Sequence, residues 1–183
     1  MKKQTFDISG LQLLTPRVFD DSRGYFLETF RASTYYDMLG THFVQDNMSL
    51  SRYGTIRGLH YQRDPFGQAK LVRCAWGVIL DVAVDIRPDS LTFGQHVSVV
   101  LSAANQNQLF IPVGFAHGFS VLSAEAIVEY KCDNYYNHES DAGLLFKDPD
   151  LQVDWKVPAD TQIVSDKYAN LPYFKYIRKG ESK

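Results

Sequence analysis

His60, Lys70 and Tyr130 each interrupt an otherwise apolar stretch, and each can handle a proton or a negative charge. His60 lies in Ile56-Arg-Gly-Leu-His-Tyr-Gln62, which as a strand would put Ile56, Gly58, His60 and Gln62 on one face. There the imidazole is either a core histidine with one hydrogen bond or a general base, since its ordinary pKa lies near operating pH. Lys70 follows ten residues later and shares a face with Val72, Cys74 and Trp76. It sits either at an exposed edge or inside with a task, because an unpaired buried ammonium is costly. Stabilising an enolate oxygen is one such task. Tyr130 shares a face with Ala126 and Val128, where a structural role is the ordinary reading.

Other polar residues stand out more weakly. Asp81 and Asp85 occupy one face of Val78–Ile86, a run whose even positions are all apolar. Two carboxylates on a buried face repel unless a cation lies between them. His117, in Gly114-Phe-Ala-His-Gly-Phe119, has glycines nearby that let the backbone approach a ligand. Arg23, Arg57, Arg73 and Lys167 supply cationic tips. The sequence contains no GxSxG elbow, P-loop, GxGxxG, CxxC or HExxH.

The elements that must position these residues read mostly as strands. Besides Val78–Ile86, strands are expected at Gln68–Trp76, His96–Leu101, Gln108–Ile111, Phe115–Leu122 and Ala126–Cys132, separated by turns such as Pro65-Phe-Gly67, Pro88-Asp-Ser90 and Pro112-Val-Gly114. Many short strands at such spacing suggest a barrel or sandwich, and no βα alternation appears. Arg31–Leu39 is the best helix, with Tyr35, Met38 and Leu39 on a stripe and a stop at Gly40. From Asn134 the rhythm is lost, so the C-terminal third is expected to wrap the barrel rather than extend it.

With 183 residues and no linker or repeat, residues 1–183 are read as one domain. Composition is that of a soluble globular protein, with 45% hydrophobic and 22% charged residues. A net charge of −2 gives no field for nucleic acid or a membrane surface. The start, MKKQTFDISG, has no apolar segment of a signal peptide, and no stretch nears the ~20 residues that span a bilayer. A cytoplasmic protein is expected. Cys74 and Cys132, each in an apolar run, read as buried free thiols.

Taken together, the segments FDDSRGYFLETF (19–30), FVQDNMSLS (43–51), IRGLHYQ (56–62), QAKLVR (68–73), LDVAVDIR (80–87), LTFG (91–94), IPVGFAHGFSVLS (111–123), VEYKCDNYY (128–136) and DPDLQVDW (148–155) resemble the dTDP-4-dehydrorhamnose 3,5-epimerase family of the cupin superfamily. The resemblance implies a mainly β, double-stranded β-helix (jelly-roll) barrel with a few short helices, assembled as a homodimer. It implies epimerisation at C3, C5 or both of a dTDP-4-keto-6-deoxyhexose, with no cofactor and no metal. His60 takes the role of base, Tyr130 of acid and Lys70 of enolate stabiliser. Arg23, Glu28, Gln45, Asn47, Arg57, His117, Asp141 and Lys167 fall on nucleotide-binding positions, with Tyr136 stacking on thymine. Arg57 and His60 have opposite strand parity, so both can face one pocket only through a bulge or twist near Gly58.

The chain departs from the family at one place. The family's Ser-Glu-Lys-Asp, whose aspartate supports the base, appears as Ser165-Asp-Lys-Tyr168. Asp166 and Asp81 are the possible substitutes for that carboxylate. Two rival readings remain: a metal-dependent cupin, disfavoured because His60-Tyr-Gln62 lacks a second histidine, and a non-catalytic nucleotide-sugar-binding cupin, favoured by Tyr168.

Overall fold

The computed structural model describes residues 1–178. Thirteen strands and three short helices are present among them. In chain order the strands are β1 (Lys2–Thr5), β2 (Gln12–Thr15), β3 (Val18–Asp21), β4 (Gly24–Leu27), β5 (Gln45–Arg52), β6 (Ile56–Gln62), β7 (Lys70–Trp76), β8 (Val78–Asp85), β9 (His96–Ser102), β10 (Gln108–Ile111), β11 (Phe115–Val121), β12 (Glu125–Cys132) and β13 (Asp141–Gly143). The helices are α1 (Ala32–Leu39), α2 (Asp166–Ala169) and α3 (Phe174–Arg178).

A six-stranded sheet in the order β1-β2-β10-β7-β12-β5 faces a five-stranded sheet in the order β13-β6-β11-β8-β9, and β3-β4 stands apart as a hairpin. Within these sheets the paired strands are antiparallel. This is the expected mainly β jelly roll. Side chains alternate across each strand, so one face of each sheet turns inward. Val72, Leu109, Ile111 and Val128 from the larger sheet meet Ile79, Ala83, Phe115, Phe119 and Val121 from the smaller one. The even positions of β8 turn the other way. Leu80, Val82 and Val84 pack outside the barrel against Leu144, Phe146, Trp155 and Phe174.

The C-terminal third therefore wraps the smaller sheet as expected, but it also extends it, because β13 pairs with β6 through Asp141↔Gln62 and Gly143↔His60. Helix α1 buries Tyr35, whose hydroxyl donates to Gln108 Oε1 at 2.6 Å and lies 3.0 Å from the Thr29 carbonyl oxygen. Gly40 ends it at φ 68°, where its N–H donates to the Tyr36 carbonyl, a left-handed closure that glycine adopts most readily. Cys74 and Cys132 are free and buried.

Candidate functional site

Strand β6 carries the extra residue that its sequence parity demands. His60 lies opposite His117 on β11, but Arg57 lies opposite Phe119, so three steps on β6 match two on β11. This is a β-bulge. Gly58 sits in it at φ 125°, and a Cβ there would lie 2.5 Å from the Gly118 Cα and 2.6 Å from the His117 carbonyl oxygen. Only glycine fits both the dihedral and the close approach. The bulge resets the alternation, and Arg57 and His60 line one cleft together.

That cleft has a volume of about 310 Å³. It also takes Lys70 from β7, Tyr130 from β12, Gln45 and Asn47 from β5, His117 from β11, Asp141 from β13, Tyr136, and Lys167 from α2. Ten of the sequence-derived site residues are thus assembled from segments spread along the chain. Short helix α2, capped by the Ser165 side chain accepting from the Tyr168 N–H, lays both Lys167 and Tyr168 over the cleft.

The environment of each group sets its chemistry. Lys70 is 5% exposed, and no carboxylate lies within salt-bridge reach of its ammonium among the described residues. Burial pulls its pKa from 10.5 down to about 8, against the partial support of Cys132, Asp81 and Asp141. The exposed-edge reading of Lys70 is therefore excluded. Its Nζ lies 6.0 Å from the centre of the Tyr130 ring. Burial pushes the Tyr130 phenol up to about 12, so it holds its proton. His60 is half-buried, and burial, followed by the nearby Lys70, His117, Lys167 and Arg57, holds it well below the ordinary histidine value. It is neutral at pH 7 and able to accept a proton.

The binding end is held by polar links. Lys167 Nζ pairs with Asp141 Oδ2, and the Tyr136 hydroxyl donates to the same oxygen at 3.1 Å. The Gln45 side chain accepts from the Tyr136 N–H at 2.9 Å and donates to Asn47 Oδ1 at 3.2 Å. The Tyr136 ring is left exposed. Arg57 Nε donates to Ser51 Oγ at 2.9 Å.

Four expectations need correction. Asp81 does not support His60: its Oδ1 lies 2.7 Å from His117 Nε2, because β8 and β11 bring the two together diagonally across the sheet. Asp85 does not share a cation with Asp81 but has its own, Arg87, at 2.7 Å. Asp166 is exposed on α2 and does not line the cleft, since the helical turn points Lys167 and Tyr168 inward instead. Arg23 and Glu28 also lie outside the cleft. They sit on or beside the β3-β4 hairpin, which joins neither sheet, and pair with Asp21 and Arg31 at 2.7 and 2.5 Å.

Sequence reasoning missed Ser49, Tyr61, Gln62, Gln68 and Phe119, which also line the cleft. Gln62 is the one with a legible signal, a polar residue closing a strand. Its side chain donates to the Phe66 carbonyl at 2.7 Å and accepts from the Asn137 N–H at 2.6 Å, which fixes the loops at the mouth. Among the described residues, no group of three or more His, Cys, Asp or Glu side chains is arranged to hold a metal ion.

Comparison with known proteins points in one direction. A family model described as dTDP-4-dehydrorhamnose 3,5-epimerase matches residues 5–176. The dTDP-4-dehydrorhamnose 3,5-epimerase of Escherichia coli (strain K12) is 52% identical over 151 residues, covering 81% of this chain and 82% of its own. A crystal structure of dTDP-6-deoxy-D-glucose-3,5-epimerase from Legionella pneumophila, in complex with dTDP-4-keto-L-rhamnose, superposes with a TM-score of 0.93 at 44% identity, covering 98% of this chain and 95% of its own. A 3′-monoepimerase from Streptomyces bikiniensis, in complex with dTDP-quinovose, gives a TM-score of 0.88 at 30% identity over 96% of this chain and 89% of its own.

Proposed function

The chain belongs to the dTDP-4-dehydrorhamnose 3,5-epimerase family, and we propose that His60, Tyr130 and Lys70 carry its reaction on a nucleotide sugar held in the cleft. The reaction inverts C3, C5 or both of a dTDP-4-keto-6-deoxyhexose. Membership at this identity favours an epimerase over a non-catalytic binding cupin.

The C4 ketone acidifies the hydrogens on C3 and C5. Neutral His60 takes one as a proton, and the C–H electron pair moves to form a C=C bond while the carbonyl pair moves to oxygen. The Lys70 ammonium faces that oxyanion, where a fixed charge in a water-poor site is most effective. The enolate collapses back to the ketone as the Tyr130 hydroxyl delivers a proton to the opposite face of the carbon. His60 has then gained one proton and Tyr130 lost one, and exchange with solvent resets both. The observation that carries the assignment is the convergence of a neutral imidazole, a buried ammonium and a protonated phenol on one cleft.

Arg57 and His117 suit the diphosphate, Arg57 through its fork of donors. Tyr136 offers an exposed ring for the base, with Gln45, Asn47, Asp141 and Lys167 around it. Arg23 and Glu28 would enter a cleft only if a second copy carried them there. A homodimer is supported by the exposed apolar side chains Met48 and Leu50 on edge strand β5 and Phe19, Tyr25 and Phe26 on the hairpin. No helix among the described residues is long and apolar enough to cross a membrane. The two buried free thiols agree with a reducing compartment, which we take to be the cytoplasm. The reading treats residues 1–183 as one epimerase domain needing no cofactor.

The test is incubation with dTDP-4-keto-6-deoxyglucose in deuterated water, reading C3 and C5 separately. Deuterium at either carbon, with inverted product, is expected. No exchange at saturating substrate would overturn the reading.

A further inference from the structure

His60 lacks the partner that would ordinarily fix a catalytic imidazole. Its Nδ1 is buried and makes no hydrogen bond within the protein. Asp81 is engaged with His117, and Asp141, the carboxylate that lines the cleft, is held by Lys167 and Tyr136. Yet the ring is not loose. The Tyr168 ring stacks on it with centroids 6.1 Å apart and planes 28° apart. On β11 the His117 ring sits 5.5 Å away at 73°, and His117 is itself anchored by buried Asp81 at 2.7 Å.

We propose that an aromatic clamp, Tyr168 stacked along the imidazole and His117 set across it, orients His60 for proton abstraction in place of a carboxylate of its own. The inference rests on His60 being the base. Tyr168 is then a positioning residue that never touches the reacting carbon. It comes from α2, which contacts β6, and it also forms the wall between the catalytic cleft and a neighbouring one lined by Arg52, Thr55 and Ile163. Removing the ring would both free the imidazole and admit water beside it. The charged or titratable groups facing His60 are Lys70 from β7, His117 from β11, Arg57 from its own strand, Tyr130 from β12, and Lys167 and Tyr168 from α2. The cations among them disfavour a protonated His60, and so does its burial, which depends in part on the Tyr168 ring.

Two substitutions in the full chain separate ring from hydroxyl. Tyr168→Phe keeps the stack and is expected to hold kcat within about 3-fold and leave the His60 titration, followed by imidazole 15N NMR, unchanged. Tyr168→Leu removes the stack and leaves a smaller apolar side chain in its place. It should lower kcat by roughly 10-fold or more, as a small misplacement of a reacting group does, with KM little changed. Its His60 titration should move upward as the ring gains water. If Tyr168→Phe falls as far as Tyr168→Leu, the hydroxyl is the working group and the clamp is wrong. A Tyr168→Leu protein with wild-type kcat and titration overturns it equally, and should that protein not fold, Tyr168→Met puts the ring to the same test. His60→Ala answers the separate question. Wild-type exchange in that variant would remove His60 as base, while the NMR titrations would still report whether Tyr168 holds the ring.

Discussion

Lys70 carries its charge into a place that disfavours it. The unfolded chain holds that proton up to about 10.5 and the folded chain only to about 8. Between those values the unfolded state binds more protons, so this group makes stability rise with pH across that window. At pH 7 the charged form bears a penalty on the order of 3 kcal/mol. Lys70→Met should therefore stabilise the protein at neutral pH by up to that amount, with a urea midpoint that no longer climbs from pH 8 to 10. The same change should depress kcat more than substrate affinity, because the enolate exists only along the reaction path. In the unsubstituted protein, kcat should hold below pH 6.5 on its acid side, where His60 is still neutral, and fall as pH rises through about 8. A variant that is both less stable and equally active would show that Lys70 is only structural. Tyr130→Phe removes one hydroxyl and little volume. Exchange at the carbon that His60 deprotonates should then outlast net inversion, and equal loss of both would reduce Tyr130 to a positioning role. These three residues were legible because each breaks an apolar pattern. The partner of Asp81 was not, since a diagonal contact between β8 and β11 depends on a register that no local pattern encodes.

Strands rich in apolar residues and bounded by turn residues were also the ones readable in sequence. Strand β8 alternates apolar positions with Asp81 and Asp85, and its observed limits fall within one residue of those expected. Strand β1 is exposed throughout, and β13 is three residues long, so neither writes an alternating signal. The four residues of α2 are set by the Ser165 cap and by packing, not by periodicity. Strand β6 is the instructive case. Simple alternation grouped Ile56 with His60, yet Ile56 packs outside the barrel with Leu59 while His60 opens into the cleft. The bulge at Gly58 makes the difference, and the clash of parity between Arg57 and His60 was its trace in the sequence. Gly58→Ala should test it. The added Cβ meets backbone at 2.5 and 2.6 Å and the positive φ is unfavourable, so a loss of about 1–3 kcal/mol is expected if β6 shifts to accommodate it. Urea unfolding measures that loss. Activity should fall further than stability explains, since moving the bulge turns either Arg57 or His60 out of the cleft. Retention of full activity would mean that the bulge does not set the site.

At the scale of the whole molecule, the outer face of the larger sheet is unfinished. Strand β5 is an edge with one side unpaired, and its outward positions include Met48 at 71% and Leu50 at 58% exposure. A groove of about 290 Å³ runs beside it, lined by Met48, Arg73, Glu129 and Lys131. The β3-β4 hairpin joins neither sheet and leaves Phe26 69% exposed, with Arg23 in its turn and Glu28 just beyond its second strand. Apolar edge strands left open invite pairing with another chain, and a symmetric pair would cover this face with its own copy. The same association would let the hairpin reach across to the other copy, and would then account for two family-pattern residues lying outside the cleft of their own chain. Met48→Glu together with Leu50→Glu tests both points. Neither side chain belongs to the barrel core, so the protomer should keep its fold and its strand signature by circular dichroism. Facing copies would place four carboxylates in a desolvated contact, a cost of several kcal/mol that weakens association roughly 100-fold or more. Light scattering should then report the mass of one chain, 20.9 kDa, where the unsubstituted protein is expected to give twice that. If a partner's Arg23 and Glu28 complete the nucleotide site, KM should rise on dissociation while the chemical step at His60 is less affected. A monomeric unsubstituted protein would remove the dimer. A dissociated variant with unchanged KM would leave the dimer standing and take Arg23 and Glu28 out of the binding site.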